Sequence, residues 1–113
     1  MKIVKDTIEI CEFKKMADDF SGAFVKAVID VEKDIMAVDD ELHMDLMEFL
    51  MEKEESEPKN IWGINIYPEK SGEDFIEFDS MVNIKPVLGN RNRGIDSLEI
   101  QEKIKNIVKK LVK

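Results

Sequence analysis

The segment from residue 23 to residue 38 limits the possible folds more than any other part of the chain. It reads AFVKAVIDVE, then a short charged turn, then IMAV. Its β-branched residues favour strands, and the charged turn separates two runs of strand length. The sequence therefore predicts an antiparallel hairpin with strands at residues 23–32 and 35–38, and the rest of the fold must be built around it.

Residues 61–67 and 74–84 form a second predicted pair of strands. Pro68 and Gly72 mark the loop between them, because these residues favour turns over strand interiors. The apolar residues 3–4 can add a short edge strand. Together these segments predict an antiparallel sheet of four to five strands.

Three amphipathic segments predict helices. Apolar residues recur at three- and four-residue steps over residues 9–20 and 42–54. A third helix follows Asp96, which we expect to cap it, with Glu99 completing a capping box. The order β-α-β-β-α-β-β-α predicts an α+β fold with the helices on one face of the sheet. Residues 1–113 suit a single compact domain.

The protein is acidic, with a formal net charge of −8, but the charge is unevenly spread. Residues 1–84 contain 9 Lys/Arg and 22 Asp/Glu, whereas residues 85–113 contain 8 and 3. The acidic body would repel a nucleic-acid backbone, and the basic part has no aromatic residue for base stacking, so nucleic acid is disfavoured as a partner. The opposite charges and an exposed strand edge instead predict a homodimer.

Several features predict a cytoplasmic protein without membrane association. No apolar run approaches the roughly 18 residues of a membrane span. The opening residues MKIVKDTIEI lack the apolar core of a signal peptide. Cys11 is the single cysteine, so no internal disulfide can form, as is usual in a reducing compartment.

The second hairpin has one apolar and one polar face, because side chains alternate along a strand. The apolar face is predicted to carry Trp62, Ile64, Ile66, Ile76, Phe78, Val82 and Ile84. The polar face carries Asn65, Tyr67, Glu77, Asp79 and Asn83. Aspartate and asparagine are depleted in strands, so this face is a candidate ligand-binding surface.

Residues 89–94, GNRNRG, place two arginines in a glycine-bounded loop before the third helix. Such a loop can turn successive N–H groups inward, and Arg91 and Arg93 would share a side if it is extended. The loop is therefore a candidate anion-binding site. The favoured interpretation, however, is that the arginines pair with Glu77 and Asp79 inside the protein.

Carboxylates also suggest a metal site as an alternative. Residues 30–45 are rich in acids and contain His43, the only histidine, and such ligands suit Mg²⁺, Mn²⁺ or Fe²⁺. An acidic helix start explains the same residues without a metal. A second arrangement would place a divalent ion between Asp30, Glu77 and Asp79. No nucleophile–base motif accompanies either set.

Five stretches identify a family resemblance: VKAVIDVEKDIMAV, ELHMD, WGINIYP, FIEFDSMVNIKP and GNRNRG, in that order over residues 25–94. Through these stretches the chain resembles a family of small prokaryotic single-domain proteins of unknown function. The resemblance implies one compact cytoplasmic domain and carries no activity with it.

The sequence thus favours a non-enzymatic binding or interaction domain without a cofactor. The GNRNRG loop and the polar sheet face would hold a small anionic ligand or a protein partner. The alternative is a metal-assisted hydrolase of phosphate esters, in which Asp30, Glu77 and Asp79 hold the ion. Arg91 or Arg93 would then stabilise developing negative charge.

Overall fold

The sheet and helices follow the predicted order in a computed structural model that describes residues 1–20 and 22–113. The strands are β1 (Lys2–Val4), β2 (Val25–Asp30), β3 (Ile35–Val38), β4 (Ile61–Ile66) and β5 (Ile76–Glu77). The helices are α1 (Ile10–Asp19), α2 (His43–Glu54) and α3 (Leu98–Leu111). Single 3₁₀ turns lie at Pro58–Asn60, Gly72–Asp74, Met81–Asn83 and Pro86–Leu88. The α+β prediction is confirmed.

The five strands form one antiparallel sheet in the order β1-β3-β2-β4-β5. The predicted hairpin of β2 and β3 lies at its centre, with Val28 opposite Ala37 on β3 and opposite Gly63 on β4. The predicted edge strand is confirmed as β1, which pairs with β3. Strand β2 therefore has a neighbour on both sides, and its pairing with β4 joins the two hairpins.

Helices cover both faces of this sheet, so the expectation of helices on one face is wrong. Helices α1 and α3 pack on the first face, where the larger core includes Phe13, Ile64 and Leu111. Helix α2 packs on the second face, where Leu46 and Leu50 contact a smaller core. The physical reason is visible in β2 and β3, which are apolar on both sides and hence need cover on both.

The last predicted strand is mostly not a strand. Strand β5 has only two residues, and beyond it the chain leaves the sheet and forms the 3₁₀ turn Met81–Asn83. Ser80 starts this turn with its Oγ accepting from the Val82 N–H at 3.2 Å. The backbone N–H of Ser80 donates to the Arg93 carbonyl at 2.9 Å, which ties the turn to the GNRNRG loop. Ile84, expected in the core, is exposed.

Gly63 allows this turn to lie directly on β4. A Cβ atom at position 63 would lie 2.5 Å from the Ser80 Oγ and 2.8 Å from a Val82 methyl group. Those separations are far below van der Waals contact. A residue without a side chain is therefore required where the turn crosses the strand.

The start of α3 differs by one residue from the prediction. Ser97, and not Asp96, caps the helix, with its Oγ accepting from the Ile100 N–H at 3.2 Å. The Asp96 carboxylate instead accepts from the Asn92 side chain at 3.0 Å. No helix within residues 1–20 and 22–113 is long and apolar enough to cross a membrane.

Candidate functional site

A row of polar side chains crosses three neighbouring strands on the second face of the sheet. Lys26 on β2 lies opposite Asn65 on β4, and Asn65 lies opposite Glu77 on β5. Paired residues of an antiparallel sheet share a face, so the three side chains stand side by side. The Asn65 Nδ2 donates to the Glu77 Oε1 at 2.8 Å. We call these three residues the polar row.

Tyr67 extends the polar row at the Glu77 end. Its hydroxyl donates to the same Glu77 Oε1 at 3.0 Å. Burial raises the pKa of Tyr67, and the bond to the Glu77 carboxylate raises this pKa further. The Lys70 ammonium lies 4.5 Å from the centroid of the Tyr67 ring. Glu77 is thus occupied by two neutral donors and not by an arginine.

His43, the first residue of α2, contacts the sheet beside the polar row. Its Nε2 lies 2.8 Å from the Ile64 carbonyl oxygen, and because a carbonyl can only accept, Nε2 carries the hydrogen. Burial lowers the pKa of His43, and the nearby Lys26 charge lowers it as well, although the Ile64 bond and Asp79 oppose the change. The neutral imidazole is therefore favoured, with Nδ1 unprotonated.

Arg93 brings the GNRNRG loop to this site. Its Nε donates to the Asp79 Oδ1 at 2.7 Å, and both charges are felt at His43. The predicted pairing of an arginine with an acid of the second hairpin is therefore observed for Arg93. The Arg93 side chain remains 57% exposed, so its outer nitrogens face solvent. Arg91 is exposed and makes no ion pair with any residue that the structure describes.

Asn83, predicted to bind ligand, is a fully buried structural residue. Its Oδ1 accepts from the Gly63 N–H at 2.7 Å, and its Nδ2 donates to the Gly63 carbonyl at 2.9 Å. The same Nδ2 donates to the Arg93 carbonyl at 3.0 Å. The side chain thus takes the place of a neighbouring strand at the end of β5.

Asn90 organises the GNRNRG loop from inside. It is 4% exposed, and its Nδ2 donates to the carbonyls of Asn83 at 2.7 Å and Gly94 at 2.8 Å. Its Oδ1 accepts from the Asp96 N–H at 2.9 Å. The loop therefore directs its backbone bonds inward, and the exposed side chains on its outer side include both arginines.

The alternative metal set is not assembled. Asp30 lies opposite Ile61 and Glu77 lies opposite Asn65, which separates the two acids by about 13 Å along β4. The Asp30 Oδ1 instead accepts from the backbone of the β2–β3 turn, at 2.9 Å from Glu32 and 3.1 Å from Lys33. In the described parts of the chain no group of three or more His, Cys, Asp or Glu residues is arranged to hold a metal ion.

Two features of the polar row are unsatisfied. Lys26 is a half-buried residue, and its ammonium has no salt bridge to the described residues. The Asn65 side chain is 5% exposed, and its Oδ1 accepts no hydrogen bond from residues 1–20 or 22–113. A buried acceptor without a donor costs roughly 1–3 kcal/mol. A bound group that carries both negative charge and a donor would satisfy both.

Sequence reasoning found most of this site but missed Lys26 and the position of His43. Asn65, Tyr67 and Glu77 come together as expected from strand alternation, and the ion pair of Arg93 with Asp79 brings the loop beside them. Lys26 belongs to the other hairpin, and only the pairing of β2 with β4 brings it to the row. The available signal was a lysine inside the mainly apolar strand β2, which otherwise has a charged residue only at its end, Asp30.

A comparison with known protein families identifies the family of this chain. The family described as a protein of unknown function, DUF5674, matches residues 2–111. The chain is a member of this family. No curated protein and no solved structure is significantly similar to it.

In this DUF5674 protein, the five stretches that carried the resemblance meet around one location. They supply β2 and β3, the first residues of α2, β4, β5 with its following turn, and the GNRNRG loop. All the residues of the polar row, together with His43, Asp79 and Arg93, fall within them. The family assignment thus confirms the resemblance and adds no activity to it.

Proposed function

We propose that this DUF5674 protein is a binding domain that holds a small anion at the polar row. The observation that carries the proposal is the unpaired Lys26 beside the unfilled acceptor of Asn65. The exposed nitrogens of Arg93 supply a second positive edge to the same site. An anion with an adjacent N–H or O–H group suits these residues, because it offers charge to Lys26 and a donor to Asn65.

Arg91 and Arg93 extend the site towards solvent. Arg93 is oriented by Asp79, so its fork is fixed in place before any ligand arrives. The Glu77 carboxylate has no cationic partner among the described residues, because the two groups that donate to its Oε1, Asn65 and Tyr67, are neutral. We therefore expect the anion at the Lys26 end of the row, away from the Glu77 carboxylate.

Three further expectations belong to the same proposal. The domain acts without a cofactor, it works in the cytoplasm, and it forms a homodimer. An unpaired, exposed Cys11 supports a reducing compartment. A metal-assisted hydrolase has less support, because its geometric basis was a shared site for Asp30 and Glu77.

A matched ligand pair tests the site. Lactate and propionate differ by the hydroxyl group beside the carboxylate, so ¹H–¹⁵N spectra during titration separate charge from donor. We expect lactate to shift the resonances of Lys26, Asn65 and Arg93 at concentrations where propionate does so at least tenfold more weakly. Inorganic phosphate serves as a second anion with donors.

Variants locate the binding. Lys26→Met removes the charge but keeps the apolar stem, and it should weaken lactate binding at least tenfold. Lys103→Met on α3 is the matched control, because Lys103 is exposed on the helix of the opposite face. If none of the three anions shifts these resonances, or if both variants behave alike, the proposal is wrong.

A further inference from the structure

A second surface of the molecule is apolar and has no role in the polar row. It is formed by the first turn of α2 and by the 3₁₀ turns at Met81–Asn83 and Pro86–Leu88. Its apolar residues are the exposed Met44, Met81, Ile84, Val87 and Leu88 and the half-buried Met47, and we call these six the methionine surface. They line a hollow of about 420 Å³.

The exposure of these side chains is unusual. Val87 is 97% exposed, Met81 63% and Leu88 51%, although each is a large apolar residue. Single exposed apolar residues are common, but a contiguous group of this size usually marks an interaction surface. Methionine side chains are unbranched and polarizable, so they adapt well to a partner.

The surface continues into a neighbouring hollow of about 660 Å³, and Lys59 and Leu88 line both. Trp62 lies in this second hollow, and its indole N–H has no acceptor within residues 1–20 and 22–113. The two hollows together form one extended recess. It suits the surface of a protein partner, which can cover both hollows at once.

The charges around the methionine surface are of both signs. The Lys85 ammonium donates to the carbonyls of Pro58 at 2.8 Å and Val82 at 3.1 Å, and has no carboxylate partner among the described residues. Burial lowers the pKa of Lys85, which an approaching carboxylate would reverse. Glu48 lies one turn after Met44 on α2, beside the apolar residues.

These features make the surface complementary to itself. In a two-fold dimer the same patch meets its own copy, so each end must suit the opposite end. We propose that a second copy of this chain covers the methionine surface, with Glu48 of one subunit facing Lys59 or Lys85 of the other. The sheet edges are poor alternatives, because β1 has three residues and β5 has two.

Sedimentation velocity over a range of protein concentrations tests this assignment. The unaltered chain should be dimeric, and Val87→Glu should raise the dimer dissociation constant at least tenfold. Val87 is almost fully exposed, so the substitution should not disturb folding. Leu98→Glu is the matched control, because Leu98 is 74% exposed but lines neither hollow.

Charge reversal then tests the two-fold arrangement. Glu48→Lys and Lys59→Glu should each weaken the dimer severalfold, and the double variant should recover it. A monomer at all concentrations overturns the proposal and leaves the surface to another protein. Equal effects of Val87→Glu and Leu98→Glu also overturn it. Lys26→Met should leave the dimer intact, so this outcome is independent of the anion site.

Discussion

The two faces of the sheet are closed in different ways. On the first face, α1 and α3 cover a continuous apolar core that includes Phe13, Ile64 and Leu111. On the second face, α2 covers only part of the sheet, and the remainder carries the polar row and the turn held by Asn83. The first face relies on many interchangeable contacts, whereas the second relies on single polar groups with fixed partners. Specific binding is better supported by the second arrangement, because fixed polar groups select what they contact.

The largest predicted effect comes from removing the hydrogen bonds that the Asn83 side chain donates on the second face. In Asn83→Asp, an oxygen that cannot donate would face the carbonyls of Gly63 and Arg93. We expect a loss of about 3–5 kcal/mol in the free energy of unfolding, because a buried carboxylate would face two carbonyl oxygens without a counter-charge. Urea denaturation measures it.

Asn106→Asp is the control for that experiment, since Asn106 is exposed on α3. It should change stability by no more than about 0.5 kcal/mol. Equal stabilities of the two variants would mean that the Asn83 amide does not hold the second face together.

The next largest effect is expected at Gly63. Gly63→Ala places a methyl group 2.5 Å from the Ser80 Oγ, so the turn must move away from β4. We expect about 1–3 kcal/mol of destabilisation by overpacking, measured in urea. Gly94→Ala is the control, because its nearest neighbour is the flexible Asn92 side chain at 3.2 Å. A larger loss in Gly94→Ala would contradict the tight crossing.

A smaller, pH-dependent effect should come from His43. Its pKa in the folded protein is lowered from an ordinary value of 6.5, so the unfolded chain binds more protons between the two values. The contribution of His43 to the free energy of unfolding is therefore complete above pH 6.5. It is lost as the pH falls from 6.5 through the lowered pKa of the folded protein. The free energy of unfolding, measured at several pH values across this range, should decrease as the pH is lowered.

His43→Gln isolates this contribution, because glutamine keeps an N–H donor for the Ile64 carbonyl but does not titrate. The difference in stability between the two proteins should shrink as the pH is lowered. An unchanged difference across the window would show that His43 is not responsible.

The smallest predicted effect is a stabilisation at the end of α2. Glu55 closes this helix in the left-handed region with a φ of 55°, which is unfavourable for a residue with a side chain. Glu55→Gly should therefore gain about 0.5–1 kcal/mol in the free energy of unfolding. Lys53→Gly, inside the same helix, should lose about as much. Two shifts of the same sign would argue against this explanation.

The sequence was sufficient for most of the fold. The central hairpin and the three helices lie within a few residues of their predicted positions, because period-two and helical spacing are local signals. The strand predicted over residues 74–84 failed for a physical reason. The alternation of apolar and polar residues continues through Asn83. In the structure, however, the Asn83 side chain makes the hydrogen bonds to β4 that the backbone of a neighbouring strand would make. This arrangement requires a glycine at position 63, because the turn lies directly on the strand there.

The candidate site was predictable only where it lies within one hairpin. Strand alternation was enough to group Asn65, Tyr67 and Glu77. Lys26 and His43 reach the site through the pairing of β2 with β4 and through the packing of α2 on the second face. Both are long-range arrangements that no local spacing encodes.

The position of Trp62 gives this protein a built-in optical reporter. It is the only tryptophan of the chain, and the Lys85 ammonium lies 5.1 Å from its ring centroid. Trp62 lines the hollow that adjoins the methionine surface, and its side chain lies on the first face of the sheet, whereas the polar row lies on the second face. Its intrinsic fluorescence should therefore change when two copies associate and stay constant when an anion binds, so one spectrum can distinguish the two events.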